Sequence, residues 1–231
     1  MDKQLNLEEI VLIGRTFDEY RNMFALDEEL LKSGPILDVA SGVSSFCAEA
    51  NSKGYNVVAS DKIYTLSPSK IEDKCKQDLD DVIKQLPAIS DLYVWNYFKD
   101  IQALKDQRER AYKLFIKDFK LTGIQRYVPA EYPITDFHDY QFTVSLVSGF
   151  LFLYENHLNY EFHKRTLLEL ARVTSKEIRI FPITNLKGKP SVFLEPIMRD
   201  EELHDLQMQI KRVDYEFLRN ANEMLVVKVH K

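Results

Sequence analysis

Apolar positions fall into two rhythms along this chain. The first clear block is Ile36 to Ala40, a short apolar run broken by one acid and ending on small residues. Such a run predicts a buried parallel strand that opens into a tight turn. A helix is predicted next, from Ser44 to Lys53, with Gly54 as its C-terminal cap. A second apolar run, Val57 to Ala59, ends on Asp61. Together these form a βαβ unit with acids near the ends of two adjacent strands. In a doubly wound sheet, ligands sit outside those ends.

The remaining pattern extends the same architecture. Residues 6–32 read as helical, with Leu7, Ile10, Val11 and Ile13 opening an apolar face. After Asp61, about 60 residues intervene before the next strand, longer than an ordinary crossover. Ser67-Pro68 marks a helix start, and Ile71, Cys75, Leu79, Val82 and Ile83 recur at helical spacing until Pro87 and Ser90. Residues 99–120 form a second helical stretch, whose charges at Lys105, Asp106, Arg108, Glu109 and Arg110 read as a solvated face. Between the two lies Tyr93-Val-Trp-Asn-Tyr-Phe98, which suits either a pocket wall or core packing of a cap. Strands are predicted at 125–128, at Phe142 to Val147 and at Ile178 to Ile183, with a helix over 160–174 before the last. A helical stretch runs to about Leu206. Two closing strands, 207–215 and 223–229, are joined by the turn Arg219-Asn-Ala-Asn222.

The first turn narrows the ligand. Gly42 tolerates positive φ and close backbone approach, while Ala40, Ser41 and Ser44 keep the crevice open. Asp61 follows Gly42 by 19 residues, where a carboxylate can accept two ribose hydroxyls. A dinucleotide fingerprint needs Gly-x-Gly-x-x-Gly to rest a pyrophosphate on a helix N-terminus. Here the first of those positions is Ala40, and Asp38 places a negative charge before the turn. That charge suits an ammonium and a sulfonium.

Asp38-x-Ala40-x-Gly42-x-Ser44, followed by Asp61, resembles motif I of class I S-adenosylmethionine-dependent methyltransferases. The stretches Arg15-Thr-Phe-Asp-Glu-Tyr20, Tyr93 to Phe98, Ser148-Gly-Phe-Leu-Phe-Leu-Tyr154 and Phe181-Pro182 resemble a bacterial branch of that superfamily with no assigned substrate. The resemblance implies an α/β fold: a Rossmann-like, seven-stranded, mostly parallel sheet with a C-terminal antiparallel hairpin. It adds an N-terminal helical lid at 1–33 and a helical cap insertion at 62–125, all within a single domain spanning 1–231. It implies S-adenosyl-L-methionine as cofactor. Arg15 and Tyr20 would bind the methionine carboxylate, Asp38 the amino-acid part, and Asp61 the ribose, with Ala40, Gly42 and Lys62 around them. Ala130 or Glu131 would meet the adenine, and Ser148-Gly149 would face the methyl group. Tyr154 and His157 are the candidates to orient or deprotonate an acceptor, with His138 a weaker one.

Composition removes other classes. The chain has 231 residues, 45% hydrophobic and 29% charged, which is globular rather than disordered. A net charge of −5 argues against a general nucleic-acid binder. Cys47 and Cys75 have no metal-ligand spacing and read as reduced thiols. There is no apolar signal core, and no run approaches the ~18 apolar residues of a membrane span. The expectation is a cytoplasmic methyltransferase acting on a small-molecule acceptor, its oligomeric state open. The alternatives are a non-catalytic S-adenosylmethionine-binding interaction protein and, less favoured, an NAD-dependent oxidoreductase, whose sheet is parallel throughout.

Overall fold

The structure, a computed structural model, describes residues 4, 5, 7 and 9–229. Seven strands form one sheet: β1 Ile36–Val39, β2 Val57–Ser60, β3 Tyr127–Val128, β4 Phe142–Ser148, β5 Thr174–Phe181, β6 Gln207–Arg212 and β7 Glu223–Lys228. Their order is β3-β2-β1-β4-β5-β7-β6. The first five are parallel, and β7 runs antiparallel between β5 and β6. This is a Rossmann-like methyltransferase sheet. The antiparallel β7 separates it from the all-parallel sheet of a dehydrogenase.

The central strands are apolar because both sheet faces are covered. Alternate residues serve opposite layers: Ile36, Val144 and Val226 face one apolar cluster, while Leu37, Val147 and Leu225 face the other. The first layer holds helices α3 Phe46–Ser52, α4 Pro68–Gln85 and α5 Ile101–Thr122, and the second holds α6 Tyr160–Val173. Helices α4 and α5 make up the predicted insertion after β2. Ser67 caps α4, its hydroxyl accepting from the Lys70 N–H at 3.4 Å, with Pro68 in the first turn. A smaller cluster, including Val82, Leu86, Tyr93 and Leu104, packs the cap together. Cys47 and Cys75 are both buried, free thiols.

Three boundaries differ from expectation, each for a tertiary reason. Residues 10–16 are an extended strap rather than helix. Helix begins only at α1 Phe17–Met23, where Thr16 and Glu19 form a reciprocal capping box, and continues in α2 Glu28–Leu31. The strap crosses the β1 turn so closely that a Cβ on Gly14 would lie 2.2 Å from the Val43 carbonyl oxygen. Strand β5 begins at Thr174, directly after α6, instead of at Ile178. Its polar start looks loop-like in sequence, but Thr174 shares a 2.6 Å hydroxyl bond with Ser145. Glu177, 1% exposed, is paired with Arg179 and Lys228. Finally, β6 stops at Arg212, and residues 213–222 form a long return loop instead of a four-residue turn. Val213 and Tyr215 are buried in the core, and the Phe217 carbonyl accepts from the Val94 N–H at 2.7 Å.

Candidate functional site

A cavity of about 530 Å3 opens at the C-terminal ends of β1, β2, β4 and β5. Its size lies within the roughly 300–1,000 Å3 of small-molecule sites. Ala40, Gly42, Asp61 and Lys62 line it from the first βαβ unit, and Arg15 and Tyr20 from the strap and α1. Ala130 and Glu131 line it after β3. Ser148, Gly149, Tyr154 and His157 line it after β4. Asp38 and His138 do not.

The β1 turn is held in an uncommon backbone conformation. Both Ala40 (φ 47°) and Gly42 (φ 56°) are left-handed. Ala40 therefore keeps the geometry that a glycine would adopt without strain. Two interactions fix the turn from β2. The Asp61 carboxylate accepts from the Gly42 N–H at 2.9 Å and from the Ile63 N–H at 3.0 Å. The Tyr64 hydroxyl donates to the Gly42 carbonyl at 2.8 Å and lies 2.6 Å from the Ser41 hydroxyl. Each Asp61 oxygen keeps a second lone pair for a ligand. Burial raises the Asp61 pKa, and the two backbone N–H groups oppose that rise.

Asp38 differs from expectation. It is fully buried, and one oxygen accepts from the Tyr20 hydroxyl at 2.9 Å while the other has no partner. Burial pushes its pKa well up, with Asp61 adding repulsion. Tyr20 is the member of this pair that meets the cavity. The Ser148 hydroxyl is also buried and unpartnered, and Ser148 lines the cavity.

Arg15 lines the same space. It forms no ion pair among the described residues, and its guanidinium lies where a Cβ on Gly149 would approach it at 3.2 Å. Gly149 (φ 59°) thus provides both the turn and the room for that cation. The Ala130 N–H donates to the Asp61 carbonyl at 3.3 Å. Glu131 lines the cavity beside it. Burial raises the Tyr154 pKa, so its phenol stays protonated near neutrality. His157 is exposed at the cavity mouth.

Sequence reasoning misread Arg108. It is 4% exposed, not solvated. Its guanidinium grips Glu19 in a bidentate pair at 2.6 and 2.8 Å and donates to the Gly14 carbonyl at 3.1 Å. Tyr215 adds a 2.9 Å hydrogen bond to Glu19. Burial alone would raise the Glu19 pKa, but Arg108 holds it down at about 2. The available signal was position: Arg108 falls between Leu104 and Ala111 on the buried stripe of α5. A charge in such a stripe needs a partner. Tyr64 and Tyr132, which also shape the site, carried no distinctive spacing. The aromatic stretch at 93–98 divides: Tyr93 lines the cavity, while Trp95 packs edge-on against Phe217 at 5.5 Å.

No family model matches the chain. Over 227 residues it is 51% identical to the uncharacterized protein MJ0045 of Methanocaldococcus jannaschii, covering 98% of this chain and 99% of that protein. The chain belongs to the same family as that protein. That relative is archaeal, so the bacterial affiliation suggested by the motif wording gains no support. Among solved structures, an S-adenosylmethionine-dependent methyltransferase from Methanosarcina mazei aligns at TM-score 0.45 and 13% identity, covering 85% of this chain and 92% of that one. A second, from Aquifex aeolicus, aligns at 0.44 and 13%, covering 91% of each. The PH0226 protein of Pyrococcus horikoshii aligns at 0.46 and 10%, covering 85% and 82%. At such identities site residues are free to differ, and the strand order and hairpin define the fold. No helix among the described residues is long and apolar enough to cross a membrane.

Proposed function

We propose that this protein is an S-adenosylmethionine-dependent methyltransferase acting on a small-molecule acceptor, with the strap and cap as parts of one catalytic domain. One observation carries this reading. A single cavity gathers a cation that forms no ion pair among the described residues, Arg15, with two acids that form none either: Asp61 directly and Asp38 through Tyr20. That donor set fits a zwitterionic amino acid joined to a ribose. Arg15 suits a carboxylate through its planar fork. The unpartnered Ser148 hydroxyl and the Tyr20–Asp38 pair suit an ammonium, and the spare Asp61 lone pairs suit a diol. Bound there, S-adenosylmethionine would supply an electrophilic methyl group: the acceptor's lone pair forms the new bond to carbon as the carbon–sulfur pair leaves with sulfur. The protein's own contribution is alignment and exclusion of water. Ser148-Gly149 bounds the reacting region, Tyr154 donates a hydrogen bond, and His157 at the mouth takes the proton that an O–H or N–H acceptor gives up.

Calorimetric titration of the purified protein with S-adenosylmethionine, S-adenosylhomocysteine and NAD tests this. Micromolar binding of the first two and none of NAD is the expected result. Binding of NAD alone would overturn the reading.

A further inference from the structure

The far half of the cavity has a different chemistry from the strand ends. It lies beneath the strap and between α4 and the 213–222 return loop. Val11, Leu79, Val82, Leu86, Leu153 and Leu218 supply its walls. The charged side chains that border it are already matched. Lys74 pairs with Glu9 at 2.5 Å and with Asp78 at 3.3 Å, and Arg108 is committed to Glu19. Arg15 and Lys62 remain, both at the strand ends: Arg15 sits against Gly149, where the proposed cofactor carboxylate claims it, and Lys62 follows Asp61 directly after β2. A charged acceptor would lose its hydration in this chamber and gain no counter-ion, a costly exchange.

Two polar atoms break the apolar lining. Tyr93 is 7% exposed and Tyr154 is 5% exposed, and both line the cavity. The Tyr93 hydroxyl makes no hydrogen bond among the described residues. Burial raises the pKa of both phenols, so both hydroxyls stay neutral. The Tyr93 hydroxyl is open to the cavity, so a ligand oxygen can accept its proton in place of water.

We infer that the acceptor is an uncharged, mainly apolar small molecule carrying a hydroxyl-type oxygen, held between Tyr93 and Tyr154. This rests on reading the strand-end half as the cofactor site. The chamber selects against carboxylates and phosphates because the cations that border it, Lys74 and Arg108, are already paired, and it selects for apolar bulk by burying it.

The test uses the whole protein and two probes of the same shape, 2-naphthol and 2-naphthoate, titrated by calorimetry with and without S-adenosylhomocysteine. The neutral probe should bind at least about 10-fold more tightly than the anion. Tyr93→Phe should weaken 2-naphthol by about 3- to 10-fold, the loss of one hydrogen bond. Ile83→Trp, which fills the chamber from α4, should abolish 2-naphthol binding while S-adenosylhomocysteine still binds, which also confirms the variant's fold. Equal or tighter binding of 2-naphthoate would overturn the inference. So would 2-naphthol binding indifferent to both substitutions, or absent at millimolar concentration. If 2-naphthol behaves as expected and S-adenosylhomocysteine does not bind, the cofactor reading falls and the chamber assignment stands. The opposite pattern removes the chamber assignment alone.

Discussion

The two halves of the cavity are built on opposite plans. The strand-end half is polar and centred on a turn made by residues close in sequence and held by directed hydrogen bonds: Gly42, Asp61, Ile63 and Tyr64 fix it. The far half is apolar and assembled from the strap, α4, Tyr93, the segment after β4 and the return loop. Geometry in the first half depends on a few strained torsions and directed bonds. In the second it depends on packing, which tolerates exchange of similar side chains.

The largest disruption should come where the halves meet. Arg108→Ala leaves Glu19 charged and buried, at a cost of about 3–5 kcal/mol in urea unfolding. It should loosen both halves together, so S-adenosylhomocysteine and 2-naphthol binding would fall in parallel. A change confined to one ligand would show the halves to be independent. Next, Asp61→Ala should lower S-adenosylhomocysteine affinity by at least about 100-fold, because it removes the ribose acceptor and frees the Gly42 turn. 2-Naphthol affinity should stay within about 3-fold of wild type. Unchanged S-adenosylhomocysteine affinity would show that the ribose lies elsewhere.

Acidification probes the same joint more gently. The Glu19 carboxyl is lowered in the fold from 4.5 to about 2. A depressed acid contributes its stability fully above the unfolded value and loses it as pH falls through the folded one. Stability should therefore decline between about pH 4.5 and pH 2, and Glu19→Gln should flatten that decline in denaturation curves taken across the window. Asp38 has the reverse sign. Its raised pKa means the ionised form costs stability at neutral pH. Asp38→Asn should stabilise the ligand-free protein by about 1 kcal/mol while weakening S-adenosylhomocysteine, the trade expected of a binding group. Smallest of all, Ala40→Gly should relieve its left-handed backbone and raise thermal stability by about 0.5–1 kcal/mol without loss of binding. A lower melting temperature would show that the alanine methyl packs productively.

Much of the first plan was readable from sequence because it is local. An apolar run, a small-residue turn and an acid at the next strand end lie within 30 residues of one another, and their spacing carries the geometry. The cap helices were readable for the same reason: Ser67-Pro68 and the Ile71-to-Ile83 periodicity are local too. The strap was not. Its apolar residues matched a helical face, but Gly14 is needed where the chain crosses the Val43 carbonyl, a contact between separate segments. The start of β5 was hidden because Glu177 looks like surface and is buried only through Lys228 and Arg179, the first of them on another strand. Arg108 was hidden in the same way, its partner 89 positions away. Where a charge is neutralised by a distant residue, composition alone points outward when the side chain points in.

The bonds on Glu19 also set an order of assembly during synthesis. Its carboxylate is shared by the nearby Thr16, by Arg108, and by Tyr215, which follows it by 196 positions. A ribosome releases the β1–β2 unit early, long before the residues that close the roof above it. The nascent chain thus carries a formed turn beneath an unfinished compartment: the strap can dock on the α3 start and α4, where the Ser45 N–H donates to the Arg15 carbonyl and the Leu12 N–H to Asp78, but Glu19 stays unpaired until α5 emerges. Ligand capture is deferred until nearly the whole polypeptide is out. Chains arrested before residue 215 should fail to retain 2-naphthol; retention would show that the compartment seals without the return loop.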